Sequence, residues 1–486
     1  MDYLKMTLVE LHECLVRKEV TPLELVKKAL EELHANKDNA VEAFNDEEAL
    51  KEAALLTEPE VDNLFWGVPV CVKDNIATKG LLTTASSEIL KDYVPVFDAT
   101  VVKKLKEAKA IIIAKTTLDE LAMGGTGMSG HKGYTYNPWD PSHKKQVGGS
   151  SAGSATVVSA GIVPFALGSD TGDSIRKPAS YAGLVGMKPT WSRISRFGLF
   201  PFATSMDHVG YFTRSVEDAA IALNLLAGRD INDSTSSTQP VDDYTRLLNT
   251  SIEGKRIAVI DEIVNCISNK TIVNAFNESL KTLEKLGAII NHVSVDNNVL
   301  KTILPTYMII SNCEATSNNA CLDGIKYGPR HGGNSYEEIM INARTKGFSS
   351  SIKRRFVIGS FSLLRENQEE LFIKAQRMRH YLVNIVNDIL SSNDVIYLPA
   401  SPTTAYEFTH KSDQLSDEYL IADNHMALGN FAGLPSITIP LGFEDKMPFG
   451  VNFMGKAFCE SEVFQIACAL ENETGLKNLS VKKVND

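Results

Sequence analysis

The sequence predicts an α/β fold: a large mixed, mostly parallel central sheet with helices on both faces. It reads as one domain spanning residues 1–486, with 1–56 an N-terminal helical segment packed on it. Three observations carry this. Short β-branched runs alternate with amphipathic stretches at the spacing of strand–helix–strand crossovers. Of the 486 residues, 43% are hydrophobic and 22% charged, which suits a large buried core and excludes a disordered or fibrous chain. No Pro/Gly/Ser-rich linker and no internal repeat divides the sequence, so one large domain is favoured over several.

The elements follow in order. Thr21-Pro-Leu-Glu24 is a capping box with Pro22 at the first helical position, and Leu23, Val26, Leu30 and Leu33 continue at helical spacing. Asp46 to Leu56 is rich in Glu, Lys, Ala and Leu and predicts a second helix. Val68 to Val72, Ile111 to Ile113 and Ile162 to Leu167 predict strands, with a helical pattern from Asp98 to Lys109 between the first two. Residues 227–251 are polar and predict a long surface excursion. Arg256 to Ile260, Asn274 to Leu286 and Ala288 to Val295 repeat the strand–helix–strand signature. Residues 320–352, rich in Gly and Asn, predict an irregular segment. Val395 to Leu398, Ser436 to Leu441 and Phe449 to Met454 return to strand texture.

Charge and cysteine usage narrow the class of function. With 49 Lys plus Arg against 60 Asp plus Glu the net charge is −11, so the chain itself is not expected to bind nucleic acid strongly. A nucleic-acid substrate held by a partner stays open. The seven cysteines are odd in number and widely spaced without C-x-x-C, which suggests neither a disulfide framework nor a zinc site. The N-terminus lacks the apolar core of a secretory signal, and no apolar run approaches the roughly 18 residues of a membrane helix. The expectation is a cytoplasmic protein with no membrane contact.

Val147 to Lys188 is the most unusual stretch. Gly148-Gly149 before Ser150 and Ser151 permits a sharp turn that presents amides and hydroxyls at a helix start. A phosphate loop lacks its lysine here. Gly168-Ser-Asp-Thr-Gly-Asp-Ser174 then follows an apolar strand, and a turn there aims several N–H groups at one point, as a tetrahedral oxyanion requires. Arg176 lies within reach of Asp170 or Asp173. Lys73, at the end of Gly67-Val-Pro-Val-Cys-Val, would become a base if it were buried beside hydroxyls. Taken singly, each has an ordinary structural reading: a helix cap, a polar loop, a solvated strand end. His131, His143, His208 and His425 lie near these motifs, but no H-x-x-x-H or H-E-x-x-H exists, and no metal is expected.

Together, GGSSAGSA, GSDTGDSIRKPA and the upstream VKDN resemble the amidase signature family. FWGVPVCVKDNIATKG, AKTTLDELAMGG, YNPWD, GLVGMKPTWSRISRFG and FAGLPSITIPLGFEDKMPFGVNFMG resemble it in the same order, over nearly the whole chain. The resemblance implies the family's fold and its Ser–cis-Ser–Lys triad, with Ser174 as nucleophile, Ser150 as the bridging serine with a cis peptide bond, and Lys73 as base. It implies acyl transfer, with an oxyanion hole from the backbone of Thr171, Gly172 and Asp173 through Ser174. SRFGLFPFATSMDHVGYFTRSVEDAA and KRRFVIGSFSL are most similar to the family's branch of glutamine-hydrolysing A subunits of glutamyl-tRNA(Gln)/aspartyl-tRNA(Asn) amidotransferases. That branch implies glutamine held by Arg355 and Asp423, and B and C subunits completing a heterotrimer. No cofactor is implied in this chain; ATP and Mg are used by the partner subunit that handles tRNA. A stand-alone amidase of small amides is the alternative, and a catalytically silent scaffold a third reading.

Three departures stand out. Asp173 replaces the second glycine usually found before the nucleophile, a carboxylate that would crowd or repel an oxyanion unless Arg176 or Lys177 neutralised it or its side chain pointed away. Ala152-Gly153 replaces a glycine pair. GGTGMSGHKG at 124–133 replaces a segment that in the family helps form the glutamine pocket and channel gate.

Overall fold

Local chemistry starts the fold as the sequence predicts. Thr21 Oγ1 accepts the N–H of Glu24 while the Glu24 carboxylate accepts the N–H of Thr21, and the helix Pro22–Ala35 buries Leu25, Val26, Ala29, Leu30 and Leu33. A second helix runs Asp46–Leu55. Between them the computed structural model, which describes residues 2–482, holds a strand that the helical reading of 1–56 missed.

This strand is β1 (Val41–Phe44). The others are β2 (Pro69–Lys73), β3 (Ile111–Thr116), β4 (Phe165–Asp170), β5 (Val185–Lys188), β6 (His208–Thr213), β7 (Arg256–Ile260), β8 (Ile289–Val293), β9 (Val395–Pro399), β10 (Ser436–Glu444) and β11 (Met447–Gly455). All eleven lie in one sheet, ordered β1-β3-β2-β4-β6-β5-β10-β11-β9-β7-β8. The predicted α/β class with a mixed sheet is what the structure has. The balance of directions differs: β2–β3, β2–β4, β7–β8 and β7–β9 are parallel, and the other six pairings are antiparallel. The strand–helix–strand spacing that signals parallel pairing is confined to the two ends of the sheet. Between them, β10 and β11 are joined by Asp445 and Lys446 at φ 49° and 67°, a turn too short for the crossover that parallel strands need.

Apolar side chains pack against both faces. Along β7, Ile257 and Val259 belong to one core cluster and Ala258 and Ile260 to the other; along β9, Val395 and Tyr397 alternate likewise with Ile396 and Leu398. Successive residues of a strand point to opposite faces, so the two clusters are the cores above and below this part of the sheet.

Two further predictions need adjustment. Residues 227–251 do run over the surface without strands or long helices, but Tyr244 is buried and anchors them to the core. The segment 320–352 is irregular only in its first half. Ser335 caps a helix, Tyr336–Gly347, with Glu337 and Glu338 in its first turn and Arg344 and Lys346 in its last. Among the described residues no helix is long and apolar enough to cross a membrane.

One feature of this sheet positions the site. β2 and β4 are parallel neighbours, with Val70, Cys71 and Val72 opposite Phe165, Ala166 and Leu167. Their C-terminal ends, Lys73 and Asp170, therefore emerge at the same end of the sheet, where loops in open α/β folds converge on ligands.

Candidate active site

Lys73 is the last residue of β2 and is fully buried. Its Nζ donates to the hydroxyls of Ser150 at 2.8 Å, Ser151 at 2.9 Å and Ser169 at 2.9 Å. Burial disfavours the charged amine and brings its pKa down to about 7, against the opposing pull of Asp119, Asp170 and Asp207. Ser151 donates its own proton to the Ser169 carbonyl at 2.9 Å and so receives one from Lys73. Ser169 Oγ also accepts from Asn75 Nδ2 at 3.0 Å. The Ser151 proton is thus committed, whereas the Lys73–Ser150 contact can reverse direction when the amine is neutral.

The Gly/Ser turn arises locally. Gly148 takes φ 80°, a region that favours glycine, the Gly149–Ser150 peptide is cis, and Ser151 leads into the helix Ala152–Ser159. The second loop leaves β4 after Asp170. Asp170 accepts the N–H of Ile175 at 3.0 Å and is gripped by Arg176 through Nη2 at 2.9 Å and Nε at 3.1 Å. Burial alone would raise this carboxyl, but the Arg176 guanidinium holds it far below the usual carboxylate range. Arg176 Nη2 also donates to the Gly172 carbonyl at 2.7 Å and to Asn430 Oδ1 at 2.6 Å. The Gly172 carbonyl is thus turned toward Arg176. None of the backbone N–H groups of Thr171, Gly172, Asp173 and Ser174 donates a hydrogen bond among the described residues.

Ser174 sits in this loop beside Ser151, whose N–H donates to the Ser174 carbonyl at 3.3 Å. Its hydroxyl makes no hydrogen bond among the described residues, so the hydrogen-bonded contact from Lys73 reaches Ser150 and does not include Ser174. No histidine hydrogen-bonds Ser174 among the described residues; His208 instead lies 3.4 Å from Lys188 Nζ, and His425 Nδ1 pairs with the Ala422 carbonyl.

The Asp173 departure has a structural answer. Lys177, not Arg176, neutralises it, with Nζ 2.8 Å from Asp173 Oδ2. The same ammonium lies 3.3 Å from Asp423 Oδ1 and donates to the Asp423 carbonyl at 2.8 Å. Although burial works against its charge, the two carboxylates hold Lys177 well above the ordinary lysine range. Asp423 is thereby fastened to the Ser174 loop. Burial raises its carboxyl while Lys177 lowers it, and Oδ1 has no hydrogen-bond partner despite the nearby cation.

Arg355 lies on the helix Ser350–Leu363, donates to Asn312 Oδ1 at 3.2 Å and stands 5.9 Å from the Phe202 ring centre. It makes no hydrogen bond or ion pair with Asp423 among the described residues, and two tyrosines sense its charge. Burial pushes the Tyr419 phenol up, Asp423 and Asp173 push the same way, and Lys177 and Arg355 oppose them. Tyr307 feels Arg355 and Asp173 in the same manner. Its ring covers Gly172 so closely that a Cβ there would meet it at 2.9 Å.

A family model described as Amidase matches residues 24–464. The chain belongs to the amidase family. Among curated relatives it is 40% identical over 479 residues, 98% of each chain, to the A subunit of the glutamyl-tRNA(Gln) amidotransferase of Pediococcus pentosaceus. It is 41% identical to that of Lactiplantibacillus plantarum, covering 98% of this chain and 97% of that one. Among solved structures, the A subunit of the Thermotoga maritima glutamyl-tRNA(Gln) amidotransferase aligns with a TM-score of 0.78 at 38% identity, covering 98% of this chain and 96% of that one. The native peptide amidase of Stenotrophomonas maltophilia aligns at 0.82 and 27% identity, covering 97% and 98%.

In this amidase, then, the structure gathers Lys73, Ser150, Ser174 and the 171–174 loop, and ties Asp423 to them through Lys177. Arg355 is not joined to them by a hydrogen bond among the described residues. Sequence reasoning missed Asn75, Ser151, Ser169, Lys177 as an anchor of Asp423, and Tyr307. The first three flank predicted site residues within VKDN, GGSS and GSD. Tyr307 lies alone on the helix Ile303–Asn318, where no neighbouring motif signals it.

Proposed function

We propose that this chain is the glutaminase subunit of a tRNA-dependent amidotransferase, releasing ammonia from glutamine for the amidation of Glu-tRNA(Gln) or Asp-tRNA(Asn) on a partner subunit. The observation that carries the chemistry is the sealed Lys73 amine, 2.8 Å from Ser150, beside a loop of four unpaired N–H groups around Ser174. The substrate reading draws on the names of the relatives.

Neutral Lys73 takes the Ser150 proton as Ser150 takes that of Ser174, and Ser174 Oγ attacks the side-chain amide carbonyl of glutamine. The N–H groups of residues 171–174 receive the negative charge on the tetrahedral oxygen. The proton returns through Ser150 to the leaving nitrogen, ammonia departs, and a water attacks the acyl-Ser174 ester by the same relay to release glutamate. Asp423 takes the α-ammonium of glutamine and Arg355 its α-carboxylate. No cofactor acts in this chain. In the assembled heterotrimer with the B and C subunits, working in the cytoplasm, ATP and Mg serve the tRNA-binding partner.

The test is ammonia release from glutamine by the chain alone and co-expressed with its partners, followed by tRNA amidation. Turnover is expected to require the partners and to vanish in Ser174→Ala. Robust glutamine hydrolysis by the isolated chain, with no effect of partners or tRNA, would overturn this reading in favour of a stand-alone amidase.

A further inference from the structure

Asp119 is a buried carboxylate with no cationic partner among the described residues, and it lies just beyond β3. Such a group must be satisfied by hydrogen bonds. Its Oδ2 accepts the N–H groups of Thr126 at 3.0 Å and Gly127 at 2.9 Å. Its Oδ1 accepts those of Met128 and Ser129, each at 3.1 Å, and the Ser129 hydroxyl at 2.8 Å. One side chain thus holds four consecutive amides of the loop in which this chain departs from its family. The Asp119 backbone N–H reaches the other way and donates to the Ser150 carbonyl at 3.1 Å. The contact with the serine turn is close on both sides: a Cβ on Gly149 would stand 2.0 Å from Asp119 Oδ2, and one on Gly124 would stand 2.4 Å from Asp119 Cγ.

We propose that Asp119 is a positioning residue that joins the 126–129 loop to the Gly149–Ser150 turn and so holds the Ser150 hydroxyl against Lys73. The inference rests on the reading of Lys73 and Ser150 as a proton relay. Three carboxylates influence the Lys73 amine: Asp119, Asp170 and Asp207. Asp170 is paired with Arg176, and Asp207, held by the Thr171 hydroxyl at 2.7 Å and the N–H groups of Phe202 and Ala203, also feels the Arg196 guanidinium. Asp119 faces only neutral donors, so the loop anchor is also an uncompensated negative charge acting on the base.

The pH–rate profile of Asp119→Asn separates the charge of Asp119 from its part in loop packing. Asparagine offers one acceptor oxygen where four amides and a hydroxyl converge, and it carries no charge. In the assembled complex, kcat for ammonia release is expected to fall at least about tenfold, because a displaced Ser150 breaks the relay geometry. The acid limb of the pH–rate profile is expected to move to lower pH by roughly one unit, since removing the anion makes the Lys73 ammonium easier to deprotonate. Ser129→Ala keeps the carboxylate and is expected to raise KM and leave the limb in place. A folded Asp119→Asn enzyme with unchanged kcat, or with lowered kcat and an unmoved limb, overturns the proposal. Should Asp119→Asn not fold, Ser129→Ala decides: kinetics equal to wild type overturn the link between this loop and the site, and a threefold or larger loss of kcat/KM sustains it. If the wild type is inert toward glutamine yet cleaves a small primary amide, the glutamine reading fails. The same pH comparison on that amide then decides Asp119 independently.

Discussion

At the scale of single residues, the decisive quantity is the desolvation of Lys73. An exposed lysine is a cation at neutral pH and has no lone pair to offer. Inside this sheet end, burial brings the pKa from 10.5 to about 7, so the amine is largely protonated at pH 6 and largely free at pH 8. In the proposed mechanism the neutral form is the base. Activity is therefore expected to rise with pH through about 7, with half of the limiting kcat/KM near that value, in a steady-state profile of ammonia release. A flat profile from pH 6 to 9 would contradict Lys73 as the titrating base. Lys73→Met should lose about 10³-fold or more in kcat at every pH, as removal of a general base in such a relay does. The Asp173 question is also settled at this scale: its carboxylate lies against Lys177 at 2.8 Å, and the charge that would repel an oxyanion has a partner.

At the scale of elements, the 170–176 loop is the functional unit. The Gly172 carbonyl and the Asp170 carboxylate turn toward Arg176, and the amides of Thr171 to Ser174 are unpaired among the described residues. Gly172 leaves room for Tyr307, which touches it from the helix Ile303–Asn318. Gly172→Ala is expected to displace that ring and lower kcat/KM roughly tenfold with an unchanged melting transition, since misplacement by a fraction of an ångström suffices to spoil attack geometry. Kinetics at fixed pH together with a thermal melt check this; wild-type kinetics would show that Tyr307 gives way freely.

Legibility in the sequence also divides at this scale. The helix Pro22–Ala35 and strand β7 were readable because capping and β-branched runs are local signals. Strands β5 and β6 were not. Both are buried on both faces, carry internal glycines, and show no alternation to mark them. The helix Tyr336–Gly347 was hidden among glycines and asparagines, and it buries only Ala343 and Gly347. The serines and the lysine proposed as catalytic were visible for a different reason: their motif resemblance preserves type and order even where element propensity is weak.

At the scale of the whole molecule, buried cations hold distant parts of the chain together. Arg214 follows β6 and is almost fully buried. It donates to the carbonyls of Leu4 at 2.8 Å, Met6 at 2.6 Å and Val163 at 2.9 Å, and to Asn478 Oδ1 at 2.9 Å. The first turn, the approach to β4 and the C-terminal region meet at one guanidinium. Arg214→Ala leaves these acceptors buried and unpaired, at about 1–3 kcal/mol each. A loss of roughly 3 kcal/mol or more in unfolding free energy is expected by denaturant titration, with activity per folded molecule retained. Stability equal to wild type would show that water replaces the guanidinium.

By itself the sequence determined the α/β class, the local starts and stops of helices, and the identity and order of the groups proposed to carry the chemistry. Residue types, caps and motif spacing are properties of neighbouring positions. Only the tertiary structure decided that antiparallel pairings outnumber parallel ones, that Lys177 partners Asp173 and Asp423, and that Lys73 is poised near neutrality. Lys73 meets Ser150 across 77 residues and Ser169 across 96, and its pKa follows from water excluded by several strands and loops at once. Desolvation is a property of the packed surroundings, and no single segment of the chain encodes it.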